Sequence, residues 1–304
     1  MRSLLLSVLM LASTAVWSER PLRVFVGVPP LQTFVEVVGG DHVQVRSLVQ
    51  AGQSPHAFEP TPGQVAALGS ADLYVGIGIP FEAAQLPRIR AANPRLRVLD
   101  AREGLELRAI EAHDHSDEGE DGHAQGHLQA GEHSPGVQAD LNELDPHVWT
   151  SPPLAKRIAA QVRDALTELD PTNKGAYEAN LASFAARLDD LDREIRAQLD
   201  PVAKRRFMVY HPAWGYFADT YGLVQVPIEK GGKEPGPRSL TEIVDQARRE
   251  GVKVIFVQPQ SARKLADQVA AAIGGRVVVI DPLSADYEGA LLQAAREIAA
   301  AGGP

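Results

Sequence analysis

Short runs of Val, Leu and Ile alternate with amphipathic stretches, and this alternation occurs twice along the chain. In the first half, residues 22–28, 42–49, 72–78 and 95–100 read as strands, with helices over 30–38 and 62–68. The same grammar returns after residue 204. There, 206–210, 224–228, 252–257 and 276–280 read as strands, and 213–221, 239–250, 261–273 and 287–301 as helices. Apolar strands separated by helices predict parallel sheets covered on both faces. The expected fold class is α/β, with two doubly wound lobes that each carry a roughly four-stranded parallel sheet.

Between the lobes the period changes to that of long helices. Pro152 to Leu169 forms one, stopped by Asp170-Pro171, and residues 172–199 form another without internal proline. Leu181, Phe184, Leu188, Leu191, Ile195 and Leu199 recur at spacings of three and four, which marks one buried face. At about 1.5 Å per residue such a helix spans about 40 Å, the length of two lobes, and predicts a stiff connector with limited closure. The chain then divides into an N-terminal lobe (19–170), a linker helix (171–200) and a C-terminal lobe (201–304). Residues 1–18 read as a secretory signal: Arg2, an apolar run from Leu4 to Val16, and small Ser18 before the cut. That run is about half of what a membrane-spanning helix needs.

Composition narrows the setting. The chain has no cysteine, which excludes a disulfide framework and a lipid anchor on a terminal thiol. An exported chain without an anchor points to a bacterial periplasm, with full secretion as the alternative. The net charge of −9 is local: ten carboxylates and no Lys or Arg lie from Glu111 to His147. An acidic balance of this kind gives no sign of nucleic-acid binding. Residues 111–140 interleave acids and glycines with His113, His115, His123, His127 and His133, and hold too little apolar surface to offset ordering entropy. Disorder is expected there. The segment reads as a low-affinity metal collector, or more simply as a solvated spacer.

Three further histidines stand alone. His56 lies in the loop after the second strand, His147 follows the acidic insertion just before a helix, and His211 ends the first strand of the second lobe. Asp281 ends the last strand. Ligands of open α/β sheets gather at the carboxyl ends of strands, so these four side chains can meet in a cleft between the lobes. Three imidazoles and one carboxylate suit a tetrahedral Zn²⁺ at about 2.0–2.2 Å. Taken singly, each is as readily an ordinary hydrogen-bonded residue, and Asp281-Pro282 a turn. His42, after Gly39-Gly40-Asp41, reads as a turn residue, and Trp149 and Trp214 as core.

Four segments taken together resemble a known family. They are Pro55-His56-Ala57-Phe58-Glu59-Pro60, Asp145-Pro146-His147-Val148-Trp149, His211-Pro212-Ala213-Trp214-Gly215-Tyr216-Phe217, and Ile280-Asp281-Pro282-Leu283. The chain is similar through nearly its whole mature length, the insertion excepted, to the zinc- and manganese-binding solute receptors of bacterial ABC importers, of ZnuA or TroA type. The resemblance implies two lobes joined by a rigid helix, with the metal held by His56, His147, His211 and Asp281. Manganese-selective relatives carry a carboxylate where His211 stands, and imidazole favours zinc, although Cu²⁺ or Ni²⁺ can compete in vitro. Two departures bear on the oxygen donor. Gln258 stands where relatives often carry Glu, and Pro55 where some zinc receptors have an acid, which leaves Asp281 or water. The expected function is capture of Zn²⁺ as cargo in the periplasm and delivery to a membrane permease and its cytoplasmic ATPase, by a monomer that is no enzyme. The alternatives are a manganese receptor, an adhesin with incidental metal, and a zinc hydrolase with water at the fourth position. No HExxH segment supports the last.

Overall fold

The structure, a computed structural model, describes residues 20–110, 144–229, 234–261 and 263–303. The signal segment and the histidines of the 111–140 loop lie outside the described residues. The first lobe runs β1 (Leu22–Val26), α1 (Pro29–Gly39), β2 (Val43–Ser47), α2 (Pro62–Leu68), β3 (Leu73–Gly76), α3 (Pro80–Ala92) and β4 (Arg97–Asp100). Two helices follow, α4 (Pro152–Leu169) and α5 (Lys174–Leu199). The second lobe runs β5 (Arg206–Val209), α6 (Gly215–Tyr221), β6 (Val224–Pro227), α7 (Pro237–Arg249), β7 (Val254–Val257), α8 (Arg263–Ile273), β8 (Arg276–Val279) and α9 (Tyr287–Gly302).

Each lobe holds one four-stranded sheet, ordered β2-β1-β3-β4 and β6-β5-β7-β8, with every pairing parallel. The two orders are the same, so corresponding strands end at corresponding places along the cleft. Alternation along the second sheet explains its two covered faces. Phe207, Val209, Val254 and Phe256 point into a core shared with the first lobe, whereas Met208, Tyr210, Ile255 and Val257 pack under α7 and α8.

The shared core makes the halves one body. Phe34 of α1, Phe184 of α5 and Tyr287 of α9 form an aromatic chain, with ring centroids 5.6 Å and 4.9 Å apart. The Phe34–Tyr287 pair is edge-on, the arrangement the ring quadrupoles favour. The buried stripe of α5 is Tyr177, Phe184, Leu188, Leu191, Ile195 and Leu199, while Leu181 lies at its margin and is half-buried.

The sequence pattern does not announce α3. Pro87 sits inside it, and its buried residues are only Phe81, Glu82 and Ile89, too few to mark an apolar face. An interior proline ordinarily disfavours a helix by about 3 kcal/mol. Glu82 explains part of the compensation. Its buried carboxylate accepts from Tyr74 Oη (2.8 Å), Ile77 N (3.1 Å) and Gly78 N (2.6 Å), which ties α3 to the end of β3. Burial pushes this carboxyl upward against those hydrogen bonds. Gly76 is required here because a Cβ would stand 2.7 Å from a Glu82 oxygen.

Candidate metal centre

The carboxyl ends of both sheets face one cleft, and the three isolated histidines meet in it. His56 sits in a single turn, Pro55–Ala57, in the loop that follows β2. Downstream, Phe58 packs edge-on against Phe81 of α3 at 5.9 Å, and Thr61 caps α2 through a reciprocal bond pair with Gln64. His147 opens a second turn, Val148–Thr150, just before α4 and is 4 % exposed. His211 directly follows the β5 extension, where Tyr210 N donates to Phe256 O at 2.8 Å.

One ligand nitrogen from each of these histidines lies within 4.8 Å of the others, the one such donor group among the described residues. Ring centroids are 4.9 Å (His56–His211), 5.4 Å (His147–His211) and 5.5 Å (His56–His147) apart. The Nε2 atoms of His56 and His211 are buried and have no hydrogen-bond partner. Buried polar atoms ordinarily find partners, so this convergence of bare nitrogens marks a place built for a ligand rather than for packing.

Two carboxylates on the outer side account for the ring orientations. Asp145 Oδ1 lies 2.7 Å from His147 Nδ1, and Glu229 Oε2 lies 2.7 Å from His211 Nδ1. A carboxylate only accepts, so each Nδ1 carries the proton and each Nε2 keeps its lone pair for the centre. Asp145 is itself fixed, for Tyr216 Oη donates to its carbonyl at 2.9 Å and its N–H donates to Arg108 O at 2.9 Å.

Electrostatics favours unprotonated rings. Burial, then repulsion from His147 and His211, lowers His56 from 6.5 to about 3. Burial also lowers His147, against the opposing pull of Asp145. Neutral imidazoles are the form that binds a divalent cation.

Asp281 does not join the three-histidine group. Its Oδ1 accepts from Leu283 N at 2.9 Å, closing the turn after β8, and burial pushes its carboxyl upward. The adjoining Pro282 and Leu283 do line the site, a cavity of about 150 Å³ shared with Ser54, Gln258, Gln260 and Ser261. His42 packs against Tyr177 at 5.8 Å, away from the cleft. Trp214 is core, and Trp149 is buried yet adjacent to the site, donating from Nε1 to Pro282 O at 2.7 Å.

Asp145 and Glu229 are the residues sequence reasoning missed. Asp145 stood inside a quoted segment but was absorbed into the acidic stretch. Glu229 lies 18 residues from His211 and carries no local signal; only the adjacency of β5 and β6 brings the two together.

A family model described as ZnuA, the periplasmic component A of a zinc-uptake complex, matches residues 24–301. The chain belongs to the ZnuA family. A high-affinity zinc uptake system protein ZnuA of Bacillus subtilis (strain 168) is 30% identical over 258 residues, covering 84% of this chain and 76% of that protein. A crystal structure of a ZnuA is 37% identical with a TM-score of 0.80, covering 93% of this chain and 100% of the other. The zinc-bound structure of a ZnuA carrying an internal deletion matches equally, at 37% identity and a TM-score of 0.80, over 93% of this chain and 99% of that one. ZnuA-family membership accords with the two parallel sheets and the long joining helix.

Proposed function

We propose that this chain is the zinc receptor of an ABC importer, capturing Zn²⁺ in the periplasm and passing it to a permease driven by a cytoplasmic ATPase. One observation carries the reading: three imidazoles from distant parts of the chain turn ligand nitrogens to within 4.8 Å of one another. A donor set dominated by three imidazole nitrogens suits zinc better than manganese, which favours carboxylate oxygens. The zinc-uptake role named for the relatives supports the same cargo.

In this reading His56, His147 and His211 are the ligands. Asp281, beside the cavity, supplies the oxygen once the ion is present, and water takes that position otherwise. With Asp281 as the fourth donor the site reserves no place for an activated water, so it binds and releases rather than catalyses. The chain works in the periplasm, and the histidines of residues 111–140 gather further zinc at lower affinity.

Titration calorimetry with Zn²⁺ and Mn²⁺ tests the core of the proposal. One tight zinc ion, lost in His211→Ala and bound much more firmly than manganese, is the expected result. Equal affinity for the two metals would remove it. Asp281→Asn weakens zinc if the carboxylate ligates and leaves affinity unchanged if water does. Deleting 111–140 lowers the number of ions bound while retaining the tight one, and loss of that ion would refute the two-site division.

A further inference from the structure

We infer that Glu229 positions His211 for metal capture and sets zinc affinity without touching the ion. The inference rests on the zinc-receptor reading of the three-histidine site. A neutral imidazole left to itself exchanges its proton between the two nitrogens, so a free His211 would offer Nε2 as a lone pair only part of the time. Glu229 removes that freedom. With Oε2 2.7 Å from Nδ1, it holds the proton on the outer nitrogen and leaves the buried, unpartnered Nε2 aimed at the other two rings.

The brace is itself held by the sheet. Glu229 N donates to Tyr210 O at 2.9 Å, so the acid and the histidine extend neighbouring strands and move as one unit. Their side chains are 16% and 13% exposed, which keeps the pair poorly screened by water. Asp145 plays the same part for His147, but its Oδ1 also accepts from His147 N at 3.0 Å, so replacing it loosens the turn as well as the ring. Among the described residues no carboxylate holds the His56 ring. The site is therefore two braced ligands and one unbraced. Charge points the same way. Three neutral imidazoles bring no negative charge to a dication, whereas Glu229 and Asp145 together bring two, one atom beyond each ring.

Carboxylates placed behind ligand imidazoles ordinarily change metal affinity about 10- to 100-fold. The test uses the full chain with Glu229→Ala and Glu229→Gln. Zinc affinity is read by competition with a chelator, the His211 tautomer by ¹⁵N NMR of metal-free protein at about pH 8.5, where imidazole is neutral, and the fold by metal-free thermal unfolding. The expected result is a loss in the range of about 10- to 100-fold for the alanine variant. Glutamine, which can still accept from Nδ1–H but carries no charge, loses less. In the alanine variant the proton moves partly to Nε2, while the metal-free unfolding midpoint stays in place. Wild-type affinity in both variants overturns the inference. So does weaker binding with the tautomer unchanged and the midpoint lowered, which would make Glu229 a structural residue only. Wild-type protein that fails to bind zinc would instead overturn the receptor reading on which the inference stands.

Discussion

Replacing His56 with glutamine should flatten the response of the metal-free protein to acid. His56 titrates at about 3 in the fold, against 6.5 for the unperturbed side chain. Between those values the unfolded chain holds a proton on this residue and the folded chain does not. Stability therefore falls as pH falls through that window, at about 1.4 kcal/mol per pH unit once below 6.5. From pH 7 to pH 5 the integrated loss from this one ring is about 2 kcal/mol. Urea unfolding in the presence of a chelator, at both pH values, gives the quantity directly. Carboxylates and the other histidines titrate in both proteins, so the wild-type loss minus the His56→Gln loss isolates the ring. A difference near 2 kcal/mol is expected. If the two proteins lose the same stability within about 0.5 kcal/mol, burial and the neighbouring imidazoles do not hold His56 neutral, and the electrostatic account of the site fails.

Three other outcomes follow from the same structure. Phe184→Ala should cost about 3–5 kcal/mol in chemical unfolding, because it empties a fully buried site where α5 packs on Phe34 of α1; a loss under about 1 kcal/mol would mean that α5 is not held by this core. Gly78→Ala should destabilise by about 1–3 kcal/mol, since Gly78 has φ +80° and a Cβ there would meet the Arg102 guanidinium. Free zinc at 100 times its Kd should raise the unfolding free energy by about 2.7 kcal/mol, and His147→Ala should abolish most of that gain in a thermal scan.

Legibility differed by element for physical reasons. The eight strands were readable because each is a short apolar run bounded by turn residues, and α4 was readable from Pro152 to Leu169 because a proline opens it and Asp170-Pro171 follows its end. The α5 stripe was readable from its period, with only Leu181 less buried than expected. By contrast α3 hides behind Pro87, and its anchor Glu82 acts through bonds to β3 that no local pattern encodes. At the site, the three histidines were legible because each stands apart from the acidic loop in a segment just after a strand or just before a helix. Their braces were not: Glu229 reaches His211 only through strand pairing. Asp281 was legible as a carboxylate at the end of the last strand, but not the bond its Oδ1 accepts from Leu283 N, which depends on how the turn closes.

The identical strand order of the two sheets has a consequence for how such a receptor can change its preferences. The two lobes present matched slots along one cleft, yet fill them with different chemistry. The slot after the second strand holds His56 in one lobe and, in the other, Glu229, whose carboxylate lies against His211. The slot after the first strand starts α1 in one lobe and delivers His211 in the other. None of these slot residues lies within a strand, so each can be exchanged by altering a loop while the shared core stays intact. A frame of two matching sheets thus separates the task of staying folded from the task of choosing an ion, and leaves the second open to revision one loop at a time.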